Sequence, residues 1–195
     1  MIQHATALLI WVQTCLVTAY AEKKFPVDYI PSIYGGWVER VVVEGESLSV
    51  SIFDSAGKSD YDRLRPLAYP QTDVFLVCFG VNSYPSFDNV KAKWFPEAHH
   101  HCPDVPCVVV ATQIDLRDEF EAIEKTKSAS PTSEKRGFPP ITTAQGERLA
   151  RELKAAKYVE CSAKTQQGVD NAFYQACLVA ITPPTVKKRH KCIIV

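Results

Sequence analysis

The chain has 195 residues, 46% hydrophobic and 23% charged, with 22 Lys and Arg against 22 Asp and Glu. That composition fits one soluble globular domain with an adequate core, and zero net charge argues against a general nucleic-acid binder. The seven cysteines are odd in number, widely spaced and without a C-x-x-C pair, which fits reduced thiols better than a disulfide scaffold or a zinc site.

The first 21 residues carry no Lys, Arg, Asp or Glu. Ala19-Tyr20-Ala21 mimics a signal-peptidase site, but the basic segment that should precede it is missing, so the expectation is a cytosolic chain. Leu8, Trp11, Val12, Cys15, Leu16 and Ala19 fall at helical spacing, which predicts one long helix over roughly residues 5–21. Trp37–Val43 and Leu48–Phe53 are β-branched and alternating, and Glu44-Gly45-Glu46 between them is a turn signal, so they read as a hairpin. Asp73–Val81 and Cys107–Thr112 are short continuous apolar runs, as expected of strands buried on both faces of a parallel sheet. Lys157–Cys161 is the last predicted strand. Helical patterns alternate with these over Ser86–His100, Thr143–Ala156 and Gly168–Ile181. Such alternation predicts a doubly wound α/β sheet, whose ligands sit beyond the carboxyl ends of the strands.

Glu119–Gly137 is charged and reads as a surface insert with a short helix, closed by Pro139-Pro140. Pro183-Pro184 ends the last helix. Lys187, Lys188, Arg189 and Lys191 then make a short basic tail, leaving the body of the chain mildly acidic. The domain is therefore drawn at 1–182 and the tail at 183–195. His99-His100-His101 tempts a metal reading, but consecutive helical positions point different ways.

Three motifs follow predicted strands. Asp54-Ser55-Ala56-Gly57 places an aspartate at a strand end and a glycine at a turn, as a site for Mg²⁺ and a terminal phosphate requires. Thr112-Gln113-Ile114-Asp115 supplies a carboxylate that can accept two hydrogen bonds from a guanine edge. Cys161-Ser162-Ala163-Lys164 follows the last strand. D-x-x-G alone is weak; the ordered spacing of all three is the signal.

With these motifs the chain resembles a Rho-family small GTPase of the Rac and cell-division-control branch. Phe25-Pro26, Tyr29-Ile30-Pro31-Ser32, Asp54-Ser55-Ala56-Gly57 and the run Y-D-R-L-R-P-L-A-Y-P-Q-T-D-V-F-L-V-C-F carry the resemblance, with H-H-C-P, T-Q-I-D-L-R-D, K-Y-V-E-C-S-A and the terminal C-I-I-V. It covers about Thr14 to Val195, and the insert at 119–137 matches the Rho-type insert helix. The fold it implies is a P-loop NTPase-like α/β sheet with helices on both faces.

The resemblance implies a guanine-nucleotide site holding GTP or GDP with Mg²⁺. In it Thr14 and Ser32 match hydroxyl ligands of the ion, and Asp54 holds it through water. Gln13, Thr14, Cys15 and Gly57 match positions around the phosphates. Phe25 matches an aromatic beside the base, and Thr112, Gln113, Asp115, Leu116, Ser162, Ala163 and Lys164 match the guanine-reading loops. Residues 25–37 match the first switch and effector surface, with Tyr29, Pro31, Ile33, Gly35 and Trp37 on it, and 54–70 match the second. Implied partners are the effectors, exchange factors and dissociation inhibitor of the Rho family. Cys192 matches a prenylated cysteine of the C-a-a-X type. With the basic tail it implies a monomer at the cytoplasmic face of the plasma membrane, with a cytosolic pool.

Three departures bear on chemistry. Aligned on Thr14, the phosphate loop reads A-L-L-I-W-V-Q-T, without the glycines and lysine of G-x-x-x-x-G-K-[ST]. The helix over 5–21 is therefore expected to replace strand, loop and first helix; an altered start of the chain is another account of this segment. Lys58 stands where the family has a water-orienting Gln, and lysine has no acceptor to orient water, so hydrolysis is expected to be impaired. Gly35 and Trp37 replace an acidic and an aromatic residue at the effector face, with Gly36 adding flexibility. Two functions stay open: a membrane-anchored GTP-binding switch with impaired hydrolysis, acting in actin and polarity signalling, or a nucleotide-free pseudo-GTPase acting as an interaction protein.

Overall fold

The computed structural model describes residues 5–11, 14–26, 34–55, 57, 59–127 and 138–182. Six strands form one sheet in the order β2-β3-β1-β4-β5-β6. They are β1 (Ala5–Trp11), β2 (Tyr34–Val43), β3 (Glu46–Ser55), β4 (Val74–Gly80), β5 (Cys107–Thr112) and β6 (Lys157–Glu160). Only β2 runs antiparallel, joined to β3 by a turn in which Glu44 and Gly45 have φ of 51° and 83°. Two positive φ values in succession match the right-handed twist of a hairpin, and glycine supplies one without strain. The other strands pair in parallel, with helices in the connections from β4 to β5 and from β5 to β6 and two short 3₁₀ turns between β3 and β4.

The helices are α1 (Thr14–Glu22), α2 (Tyr84–Asn89), α3 (Phe95–His101), α4 (Asp115–Lys127), α5 (Thr143–Glu152) and α6 (Val169–Ile181). They cover both faces. On one, Leu16, Val17 and Tyr20 of α1 and Phe173 of α6 pack on Leu8, Ile10, Leu76 and Val110. Tyr20 and Phe173 stack with ring centroids 3.8 Å apart. On the other face, Trp94, Phe95 and Leu149 pack on Leu9, Phe75, Val77 and Val109.

The helix expected over residues 5–21 is not formed. Residues 5–11 are strand β1, and only 14–22 are helical. Leu8 and Ile10 enter one layer while Leu9 enters the other, the two-residue alternation of a strand. The reason is position. β1 lies between β3 and β4 and pairs with both, so a helix there would leave two rows of buried backbone donors and acceptors without partners. In a run that is apolar at nearly every position, helical spacing is satisfied by default and carries no information.

The other elements lie close to their predicted places. The first helix after β4 begins earlier than expected: Ser83, not Ser86, is its cap, accepting from the Ser86 amide at 3.3 Å. A π-helical turn at Val90–Trp94 separates α2 from α3. Thr142 caps α5 in a reciprocal box with Gln145. Gly168 caps α6 at φ 71°, where a Cβ would stand 2.3 Å from the Glu160 carbonyl, so only glycine fits. The insert helix starts at Asp115 itself, and residues 128–137 lie outside the described residues. Among the described residues no helix is long and apolar enough to cross a membrane.

Candidate functional site

Beyond the carboxyl ends of β1, β4 and β5 lies a cavity of about 460 Å³. Its lining gathers Thr14 and Cys15 from α1, Phe25 from the segment after it, and Thr112, Gln113, Asp115 and Leu116 from the β5–α4 turn. Ala163 and Lys164 come from the loop after β6. Nine predicted residues from four separate segments thus share one pocket.

The β5–α4 turn is tight because Gln113 takes a left-handed backbone, φ 62°. The chain then enters α4 with Asp115 as its first residue, where a carboxylate suits the positive end of the helix dipole. Ser162 is fully buried and does not line the pocket; its hydroxyl donates to Asp115 Oδ1 at 2.5 Å and accepts from the Thr165 amide at 3.2 Å. It orients the carboxylate. Lys164 Nζ stands 4.0 Å from Asp115 Oδ2 and donates to Glu119 Oε1 at 2.8 Å. That hydrogen bond, with the charge of Glu119, raises the Lys164 pKa. The Thr112 hydroxyl is occupied in donating to the Phe79 carbonyl at 3.0 Å, tying β5 to β4.

At the other end, Thr14 Oγ1 donates to Asp54 Oδ2 at 2.5 Å. Asp54 is buried near the end of β3, with Ile10 opposite it on β1 and Gly35 opposite it on β2. The Cys15 thiol is raised above its ordinary pKa, first by burial and then by the Asp54 charge, so it stays protonated. Gly57 is half-buried beyond β3. Gln13, Tyr29, Pro31, Ser32, Ile33, Lys58 and Cys192 lie outside the described residues.

Two placements differ from expectation. Gly35 and Gly36 are part of β2 and paired along β3 instead of forming a loose segment, so the strand begins before its predicted start at Trp37. Trp37 is half-buried and packs against the core layer of α1 and α6. Asn82, just past β4, also lines the pocket and was not predicted. Its only sequence signal is its place one residue after an apolar strand run.

Whether this pocket suits a phosphate-bearing nucleotide with Mg²⁺ depends on its two ends. The oxygens of Thr14 and Asp54 are donors of the hard kind that Mg²⁺ takes. The phosphate cradle is another matter. Ala7 to Trp11, five of the eight positions of the aligned loop, lie inside β1 and are paired with neighbouring strands. The Ala7 amide donates to Asp73 Oδ2 at 2.8 Å. Residues 12 and 13 alone separate β1 from α1. A cradle needs a run of free backbone N–H groups curved around the oxygens, and the paired residues Ala7 to Trp11 do not supply it. The residues present fit the base end of a nucleotide and not its phosphates.

A mostly parallel six-stranded sheet, helices on both faces and a pocket at the strand carboxyl ends define the P-loop NTPase-like α/β class of the small GTPases. A model of the Ras family matches residues 12–181, and the chain belongs to that family.

Proposed function

We propose that this small GTPase-like protein is a Rho-type signalling protein of the Rac and cell-division-control branch that acts through its partner surfaces without a GTP cycle. One observation carries this: β1 runs through Trp11 and α1 begins at Thr14, so strand occupies five of the eight positions of the aligned phosphate loop. Gln13 in place of a lysine removes a charge-assisted hydrogen bond worth about 1.5–3 kcal/mol, and the absent cradle removes more. The partners are effectors and regulators of the Rho family. Cys192 and the basic tail carry the chain to the cytoplasmic face of the plasma membrane, alongside a cytosolic pool.

The pocket itself favours a second reading, a GTP- and GDP-binding switch. Asp115, oriented by Ser162 and flanked by Lys164, and the Thr14–Asp54 pair are the parts such a switch would keep. Its hydrolysis would be slow because Lys58 cannot orient water.

Titration with a fluorescent GDP analogue in Mg²⁺ separates the two. The first reading expects a dissociation constant weaker than about 1 µM, some 8 kcal/mol of binding energy. Tighter, Mg²⁺-dependent binding overturns it. In that case Lys58→Gln raises single-turnover hydrolysis.

A further inference from the structure

We propose that the pocket takes a guanine base or nucleoside without its phosphates, so that phosphoryl groups and Mg²⁺ add nothing to affinity. This rests on the reading that the phosphate loop has been replaced by strand. At the base end, Asp115 is oriented through one oxygen by Ser162, and its side chain is only 11% exposed. Its other oxygen, Oδ2, lies 4.0 Å from Lys164 Nζ, beyond hydrogen-bond reach, and stays open to paired N–H donors on the edge of a flat heterocycle. Phe25, Leu116 and Ala163 supply apolar wall. A cavity of about 460 Å³ is toward the small end of ligand sites.

The far end repels phosphate for three reasons. The backbone amides of β1 are committed to the sheet or, at Ala7, to Asp73. The Thr14 hydroxyl at the start of α1 donates to the Asp54 carboxylate, which sets a negative charge beside the amino end of that helix. Among the described lining residues the one Lys or Arg is Lys164, and Glu119 holds it at 2.8 Å. Among the described residues, the carboxylates of Asp115 in the lining and of Asp54 beside Thr14 exceed that one cation. A neutral nucleoside meets none of this repulsion, whereas a diphosphate brings two or more negative charges toward Asp54.

Calorimetric titration of the full chain with guanosine and with GDP, each in Mg²⁺ and in EDTA, tests the inference. GDP is expected to bind no more tightly than guanosine, with no Mg²⁺ effect, because its phosphates gain no contact and meet the Asp54 charge. Asp115→Asn should weaken guanosine by about tenfold or more, the size of one charge-assisted bond. GDP binding more than about tenfold tighter than guanosine, and dependent on Mg²⁺, overturns both this inference and the cycle-free reading. No guanosine binding at about 1 mM, a contribution under roughly 4 kcal/mol, overturns the inference alone if GDP also fails to bind.

Discussion

Leu9→Ala asks directly whether residues 7–11 are core strand or loop. Leu9 is fully buried, lies opposite Phe53 on β3 and Phe75 on β4, and faces the layer that holds Val77, Trp94 and Val109. Truncation removes its transfer energy and leaves a cavity between two paired strands that cannot close in. Leu→Ala in such surroundings costs about 2–5 kcal/mol, and flanking strands on both sides place this site near 3–4. At roughly 2–4 °C per kcal/mol for a chain of this size, the melting temperature should fall by about 6–16 °C. Urea denaturation followed by circular dichroism gives the free energy, and a thermal melt checks it. If Leu9 instead stood in a surface loop, the change would stay within about 0.5 kcal/mol. A loss below about 1 kcal/mol refutes the core-strand placement, and the argument against a phosphate cradle goes with it.

Gly146→Ala sets helix propensity against space. Alanine gains about 1 kcal/mol inside a helix, but its Cβ would stand 2.2 Å from the Tyr158 hydroxyl, which Glu160 holds at 2.6 Å. Net destabilisation of about 1–3 kcal/mol is expected in urea melts; a stabilised variant would show that Tyr158 is free to move. Glu160 predicts a pH dependence. Burial alone would raise its pKa, but the hydrogen bonds from Arg117 and Tyr158 and the Arg117 charge outweigh it, and the carboxyl lies below its ordinary value. A depressed carboxyl stabilises above its unfolded pKa and loses that contribution as pH falls through the folded value. The stability difference between the wild-type chain and Glu160→Gln should therefore be largest near neutrality and shrink on acidification; a difference unchanged at about pH 2 contradicts the assignment. Cys192→Ser should abolish isoprenoid incorporation by intact mass and release the chain from membrane fractions. Retained lipid would place the modification on another cysteine.

Much of this protein is legible without coordinates. The hairpin, β4, β5, β6 and the helices α5 and α6 follow from local periodicity and turn residues, because each reports its own burial within a few neighbours. The three motifs after strand ends, with the family resemblance they carry, indicated nine lining residues of the pocket. What local pattern could not decide was residues 5–11. Their apolar run satisfies a helix and a strand equally, and the deciding term is non-local: two neighbouring strands each present a row of hydrogen-bonding groups that only an extended β1 can satisfy. The same non-local pairing drew Gly35 and Gly36 into β2, and the pocket lining also takes in Asn82, just past β4. Sequence by itself determined the small GTPase class and the absence of the phosphate-loop glycines and lysine. Tertiary structure alone decided that strand fills the vacated loop, because pairing on both sides of β1 outweighs any local preference of those residues.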